Sequence, residues 1–179
     1  MKAYDYGRRE GIRTISWDEF GALTHDLAER LAAEGIELVV SVARTGLLPA
    51  TAVASALRRA IVPIQLTRRV NDAVVHESPV WKAPVPDAVS GLNVAVIDEM
   101  TDTGETLRLA AEAVRGAGAR RVVTASLAAH TWAAPPPDVV ALTSDSLVLF
   151  PWDREVFMDG QWRTHPDLAP FLDANGSTP

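Results

Sequence analysis

Cysteine is absent from this 179-residue chain, which excludes disulfides, thiolate nucleophiles and cysteine-ligated metals. Histidine is scarce. His25, His76, His130 and His165 stand apart and form no H-x-x-x-H pair, so a histidine zinc site is not expected. No apolar run reaches the length of a membrane span, and the opening MKAYDYGRREGIRT has no apolar centre of a signal peptide. The expectation is a soluble, cytoplasmic protein without a membrane partner. Surplus positive charge is missing too. Against 17 Lys and Arg stand 23 Asp and Glu, a net charge of -6, so a broad grip on a nucleic-acid backbone is not expected. A locally basic pocket for a small anion is compatible with that total.

What is present is ordinary globular material, 47 % apolar and 22 % charged, enough for one sizeable core and a single domain over residues 1–179. TISWDEFGALTHDLAERLAAEG reads as a helix: Ser16 and Glu19 fit a capping box, and Trp17, Phe20, Leu23, Leu27 and Leu31 recur at helical spacing. Gly35 ends it. IELVVSV is a strand, ARTG a loop, LLPATAVASALRRA a helix led in by Pro49, and IVPIQLT a second strand. Residues 68–91 are the least regular stretch, with Pro79, Pro84 and Pro86; so long a connection is functional or disordered. LNVAVID, GETLRLAAEAVRGAG and RRVVTASLA continue as strand, helix and strand. DVVALT and SLVLF are short strand candidates, and the tail carries Trp152, Phe157, Trp162 and Phe171 as aromatic anchors. Alternating strands and helices imply an α/β fold with a mostly parallel central sheet flanked by helices. Near-continuous Val and Ile imply a sheet buried on both faces.

Ligands of such sheets sit outside the carboxyl ends of the strands, where SVARTGLLP and VIDEMTDTGET both fall. In the second loop, the amides of Thr103, Gly104, Glu105 and Thr106 open a helix with threonine hydroxyls beside them, which suits a phosphate. A plain N-terminal cap is the alternative. Asp98 and Glu99 are not needed for a phosphate. Adjacent carboxylates accept hydrogen bonds, suit a ribose diol and favour positive charge developing on the sugar, unless they form only a solvated strand end.

The whole pattern VAVIDEMTDTGET resembles the phosphoribosyl pyrophosphate motif of the type I phosphoribosyltransferases: hydrophobic strand, acidic pair, D-T-G turn. SVARTGLLPA resembles that family's pyrophosphate loop. TISWDEF, the loop spacing and the late LFPWD resemble the bacterial and archaeal xanthine, guanine and hypoxanthine phosphoribosyltransferases.

The resemblance implies a type I phosphoribosyltransferase fold with a core over about 14–130, a lid over about 68–91 and a C-terminal hood from about 131 to 179. It implies transfer of a phosphoribosyl group from phosphoribosyl pyrophosphate to a purine base, and a homodimer. Asp98 and Glu99 would hold the ribose hydroxyls, and Asp102 would exchange a proton with the base unless it only caps the helix. Thr103, Gly104, Glu105 and Thr106 would hold the 5-phosphate. Arg44, with Thr45 and Gly46, would meet the pyrophosphate beside a strained peptide bond, although Thr45 stands where many relatives have glycine. Arg68, Arg69 and Lys82 are lid candidates for the phosphates or solvated surface charges. Mg2+ would arrive with the substrate, near Asp98 and Glu99, without a protein cage of its own.

The base side departs from the family pattern. The resemblance places His130 and Leu147 at the base: His130, able to donate one neutral hydrogen bond to it, stands where those enzymes place a lysine, and Leu147 where they place a stacking aromatic; Trp132 or Trp152 could supply a ring instead. Two alternatives stay open: a different acceptor base, or a phosphoribosyl pyrophosphate-binding regulator without turnover. A dinucleotide-binding fold is set aside because ARTGLLP lacks G-x-G-x-x-G.

Overall fold

The structure is a computed structural model that describes residue 9 and residues 11–67, 69–70, 73–76 and 78–165. The chain runs β1 (Ile12–Thr14), α1 (Trp17–Ala33), β2 (Leu38–Val42), α2 (Leu47–Leu57), β3 (Ala60–Thr67), β4 (Arg69–Val70), β5 (Ala73–Val74) and β6 (Val80–Ala83). After a 3-10 turn at Asp87–Val89 come β7 (Asn93–Thr101), α3 (Glu105–Gly116), β8 (Arg121–Ala129), β9 (Val139–Thr143), β10 (Leu147–Leu149), β11 (Glu155–Met158) and β12 (Gln161–Thr164).

The central sheet has six strands in the order β6-β3-β2-β7-β8-β9. All its neighbours are parallel except the edge pair β3–β6. Side chains of β2 alternate across it: Val39 joins α1 and α2 on one face, whereas Leu38, Val40 and Val42 join α3 on the other. β7 does the same, with Ala95 and Ile97 on the first face and Val94 and Val96 on the second. This two-residue period between covering helices is why both strands read as unbroken apolar runs. The α1–α2 face is closed by Leu27, Leu31, Ala50 and Val53, and the α3 face by Leu107, Ala110 and Val114.

α1 begins as its capping residues require. Ser16 sits in extended backbone, and its hydroxyl accepts the Glu19 N–H at 3.1 Å. Ser16→Ala removes that acceptor and is expected to cost about 1 kcal/mol of stability. Urea unfolding measures this as a lower midpoint at constant m-value; an unchanged midpoint contradicts the capping role.

Several boundaries differ from the sequence expectations. α2 ends at Leu57 rather than running to Ala60, because Arg58 turns to φ 53 in the left-handed region and β3 takes up Ala60. β7 runs on to Thr101, not Asp98, because β8 keeps pairing with it as far as Thr101↔Ala129 after β2 has stopped at Ile97. Ladder hydrogen bonds outweigh the low strand preference of acidic residues there.

The stretch expected as a lid is also more ordered than its prolines suggest. Val80–Ala83 extends the main sheet, pairing with Gln65, Leu66 and Thr67, and Val89 is fully buried in the core. Residues 80–89 therefore belong to the body. Arg68 lies outside the described residues, and Lys82 is exposed on the edge strand. Of the hood, β10 pairs in parallel with β1, and β11 and β12 form a hairpin; residues 166–179 lie outside the described residues.

Candidate active site

Strand order determines where a ligand can sit. From β2 the chain crosses through α2 to β3 on one side, and from β7 it crosses through α3 to β8 on the other. The sheet thus changes direction between adjacent β2 and β7, which opens a crevice at their carboxyl ends. The loops leaving these two strands hold the two candidate motifs. A concavity there is lined by Asp98, Met100, Thr101, Asp102, Thr103, Gly104, Glu105, Thr106 and Leu107.

The N-cap residue of α3 supplies no side-chain cap; among the described residues only a long 3.5 Å contact from the Glu105 N–H to the Thr103 hydroxyl covers the first amides of the helix. Its N-cap is Gly104 at φ 89, and the first backbone bond within the helix runs from the Arg108 N–H to the Gly104 carbonyl. Asp102 is therefore not the cap. The amides ahead of Arg108 have no earlier carbonyl in the helix to bond, and they face a concavity carrying the hydroxyls of Thr103 and Thr106. A β-carbon on Gly104 would lie 2.6 Å from the Pro135 carbonyl oxygen, so the turn requires glycine for space as well as for its positive φ.

Asp98 is buried at 8 % exposure, and its Oδ1 accepts the Glu99 N–H at 2.9 Å. Burial pushes the Asp98 carboxyl well above the usual carboxylate range; the Glu99 charge and a hydrogen bond to the Glu99 side chain push it further, against the opposing Glu99 N–H. Burial and the neighbouring carboxylate thus favour a proton on Asp98 more than solvent exposure would. Thr101, 3 % exposed and lining the same concavity, has a buried hydroxyl with no partner among the described residues.

The other loop touches the acids directly. The Thr45 hydroxyl donates to Glu99 Oε1. Gly46 lies so close that a β-carbon there would be 2.3 Å from the Val42 carbonyl oxygen and 2.9 Å from Asp98 Oδ1. The Ala43–Arg44 peptide bond, the one the resemblance singled out, is cis, and the Arg44 side chain is exposed at the mouth of the crevice. Thr45 therefore joins the loop to the acidic pair.

Asp102 lies just past the end of β7. The Trp132 indole N–H donates to its Oδ1 at 3.2 Å and Arg9 donates to its Oδ2 at 3.4 Å. His130, expected to present a donor to a base, is 3 % exposed with both ring nitrogens engaged by the protein. Nδ1 meets the Ser144 carbonyl at 2.6 Å, so it carries the proton, and Nε2 accepts from Arg9 at 3.3 Å. As it stands, His130 has no spare donor. Leu147 is half-buried in β10 opposite Ile12, outside the residues that line the concavity. Of the two tryptophans, Trp132 reaches the site, stacked on His130 at 4.1 Å, while Trp152 packs against Trp17, Phe20 and Phe150. Arg9 was missed by sequence reasoning; GRREG offers no signal that separates a site arginine from a surface one.

The profile of the phosphoribosyl transferase domain matches residues 16–157. The chain is 27 % identical over 143 residues to the xanthine-guanine phosphoribosyltransferase of Idiomarina loihiensis, covering 79 % of this chain and 87 % of that protein. It is 30 % identical over 150 residues to the enzyme of that name from Gluconobacter oxydans, covering 78 % and 83 %. The crystal structure of a purine phosphoribosyltransferase from Pyrococcus horikoshii superposes with a TM-score of 0.71 at 27 % identity, covering 79 % of this chain and 93 % of that one.

Proposed function

This chain belongs to the phosphoribosyltransferase family, and from that premise we propose that it transfers the 5-phosphoribosyl group of phosphoribosyl pyrophosphate to a 6-oxopurine, releasing pyrophosphate. One observation carries the reading. The acidic pair, the start of α3 and the Arg44 loop converge at one strand crossover, with Thr45 and Gly46 in contact with Glu99 and Asp98.

In this reading the amides and hydroxyls of Thr103, Gly104, Glu105 and Thr106 bind the 5-phosphate at the positive end of the α3 dipole. Asp98 and Glu99 accept hydrogen bonds from the ribose hydroxyls. A ring nitrogen of the base attacks the anomeric carbon as the bond from that carbon to the pyrophosphate oxygen breaks. Positive charge builds on the ribose as in glycoside cleavage, and the carboxylates beneath it are stronger partners at that moment than before it. Arg44 and the loop amides receive the charge of the departing pyrophosphate. Asp102 takes the proton that the base loses.

The residues suit Mg2+ as the substrate's counterion. Asp98 and Glu99 are hard oxygen donors, and the described residues contain no group of three or more His, Cys, Asp or Glu forming a cage. When bound, the ion would neutralise pyrophosphate charge. A homodimer belongs to the same reading, supported by the exposed Leu48 on α2 and the exposed Val80 and Trp81 on edge strand β6. Among the described residues, no helix is long and apolar enough to cross a membrane.

A less common acceptor is the second reading, favoured by the engagement of both His130 nitrogens. Purified protein, magnesium and phosphoribosyl pyrophosphate incubated with a panel of purines and pyrimidines decide between them, following nucleotide formation. The expected result is turnover on guanine, xanthine or hypoxanthine. Turnover on a pyrimidine alone contradicts the first reading and selects the second.

A further inference from the structure

Arg9 lies 93 residues before Asp102 and 121 before His130, yet its side chain is only 8 % exposed and reaches both. One guanidinium nitrogen donates to Asp102 Oδ2 at 3.4 Å while Nε donates to His130 Nε2 at 3.3 Å. The His130 ring stacks on Trp132, whose indole N–H donates to the remaining Asp102 oxygen. Each carboxylate oxygen therefore has its own donor, and the two donors are joined through His130 in a closed ring of four side chains.

We infer that Arg9 is a positioning residue for Asp102, completing the acceptor half of the site from before β1. The inference rests on Asp102 as the group that takes the proton from the base. An aspartate turns about two side-chain bonds, and a proton acceptor must aim one lone pair at one ring nitrogen. Donors on opposite oxygens fix both rotations, which matters because small misplacements of a reacting group carry large rate costs. At 3.4 Å the Arg9 contact is long for a charge-assisted bond, as catalytic contacts often are before substrate tightens them. His130, already bonded through Nδ1 to the Ser144 carbonyl, accepts from the Arg9 Nε and so holds the guanidinium instead of meeting the base itself. A purely structural role, tying down the chain before β1, would affect all substrates and the fold alike.

Arg9→Gln, Arg9→Lys and Trp132→Phe in the full chain test this. Expected for Arg9→Gln is a fall of about 30- to 100-fold in kcat/KM for the base, with KM for phosphoribosyl pyrophosphate within about twofold of the parent. Arg9→Lys keeps the charge without the planar fork and is expected to recover to within about tenfold of the parent. The indole N–H resonance of Trp132, identified by its loss in Trp132→Phe, is expected to move in Arg9→Gln more than in Arg9→Lys, with the other indole resonances unmoved. Base kinetics within about twofold of the parent, equal losses for both substrates, or a Trp132 resonance that does not respond would each overturn the assignment. Should the parent protein turn over no acceptor, the transferase reading fails separately, and the Trp132 resonance alone decides whether Arg9 holds Asp102.

Discussion

Asp98→Asn combined with Glu99→Gln is expected to lower kcat/KM for phosphoribosyl pyrophosphate by about 30- to 1,000-fold, which corresponds to about 2–4 kcal/mol of transition-state stabilisation. The same change is expected to leave the protein folded, and at pH 8 more heat-stable than the parent. In the free protein Asp98 is buried beside another carboxylate, which raises its pKa. Above the unfolded pKa, the folded state therefore binds more proton at this carboxyl than the unfolded chain does. The stability this supplies is complete below the unfolded carboxylate pKa of about 3.9 and is lost as pH rises through the raised folded value. Asparagine carries no such titration. Thermal melts from pH 4 to pH 8 should show a steeper decline in the parent than in Asp98→Asn. Equal slopes would mean that the acids are not strained together. Activity that falls while stability rises cannot come from misfolding; it is the pattern of a site that gives up stability for function.

Gly46→Ala is the second large effect, and it acts by contact, not conformation. Gly46 has ordinary helical angles, φ -59 and ψ -16, that alanine adopts freely. The added carbon, however, would lie 2.3 Å from the Val42 carbonyl oxygen and 3.2 Å from the Asp98 Cα, both backbone atoms that cannot rotate away. Either the Arg44 loop or the acidic strand must shift. Overpacking of this kind costs about 1–3 kcal/mol of stability, and the displaced atoms are those that face the substrate, so kcat/KM is expected to fall about 100-fold. Gly21→Ala is the control. It lies within α1, its β-carbon would meet nothing within 4 Å, and it should gain up to about 1 kcal/mol of stability with unchanged activity. Steady-state kinetics and urea unfolding on the two variants measure both outcomes, and Gly46→Ala with parental activity would show that the two loops need not touch.

The sheet and its crossovers were legible in the sequence because their signals are local. Apolar runs bounded by small-residue turns located β2, β3, β7 and β8, and the Ser16 cap and the spacing of Leu27 and Leu31 located α1. The DEMTDTGET and ARTG loops were legible for the same reason, since each joins a strand to a helix within a few residues. What escaped depends on distant partners. β7 continues through Asp98 and Glu99 only because β8 offers a ladder. Val80–Ala83 is a strand only because β3 has a free edge, and its flanking prolines point the other way. The acceptor side was least legible: His130 was read as a donor to the base, but Arg9 and Ser144 occupy its nitrogens from far along the chain.

The binding of phosphoribosyl pyrophosphate at the β2–β7 crossover is tested most directly by calorimetric titration of the protein with that ligand, with and without magnesium. The expected result is one site per chain, tighter with magnesium and weakened in Asp98→Asn with Glu99→Gln. Absence of binding, or binding that the acidic pair does not affect, would contradict it.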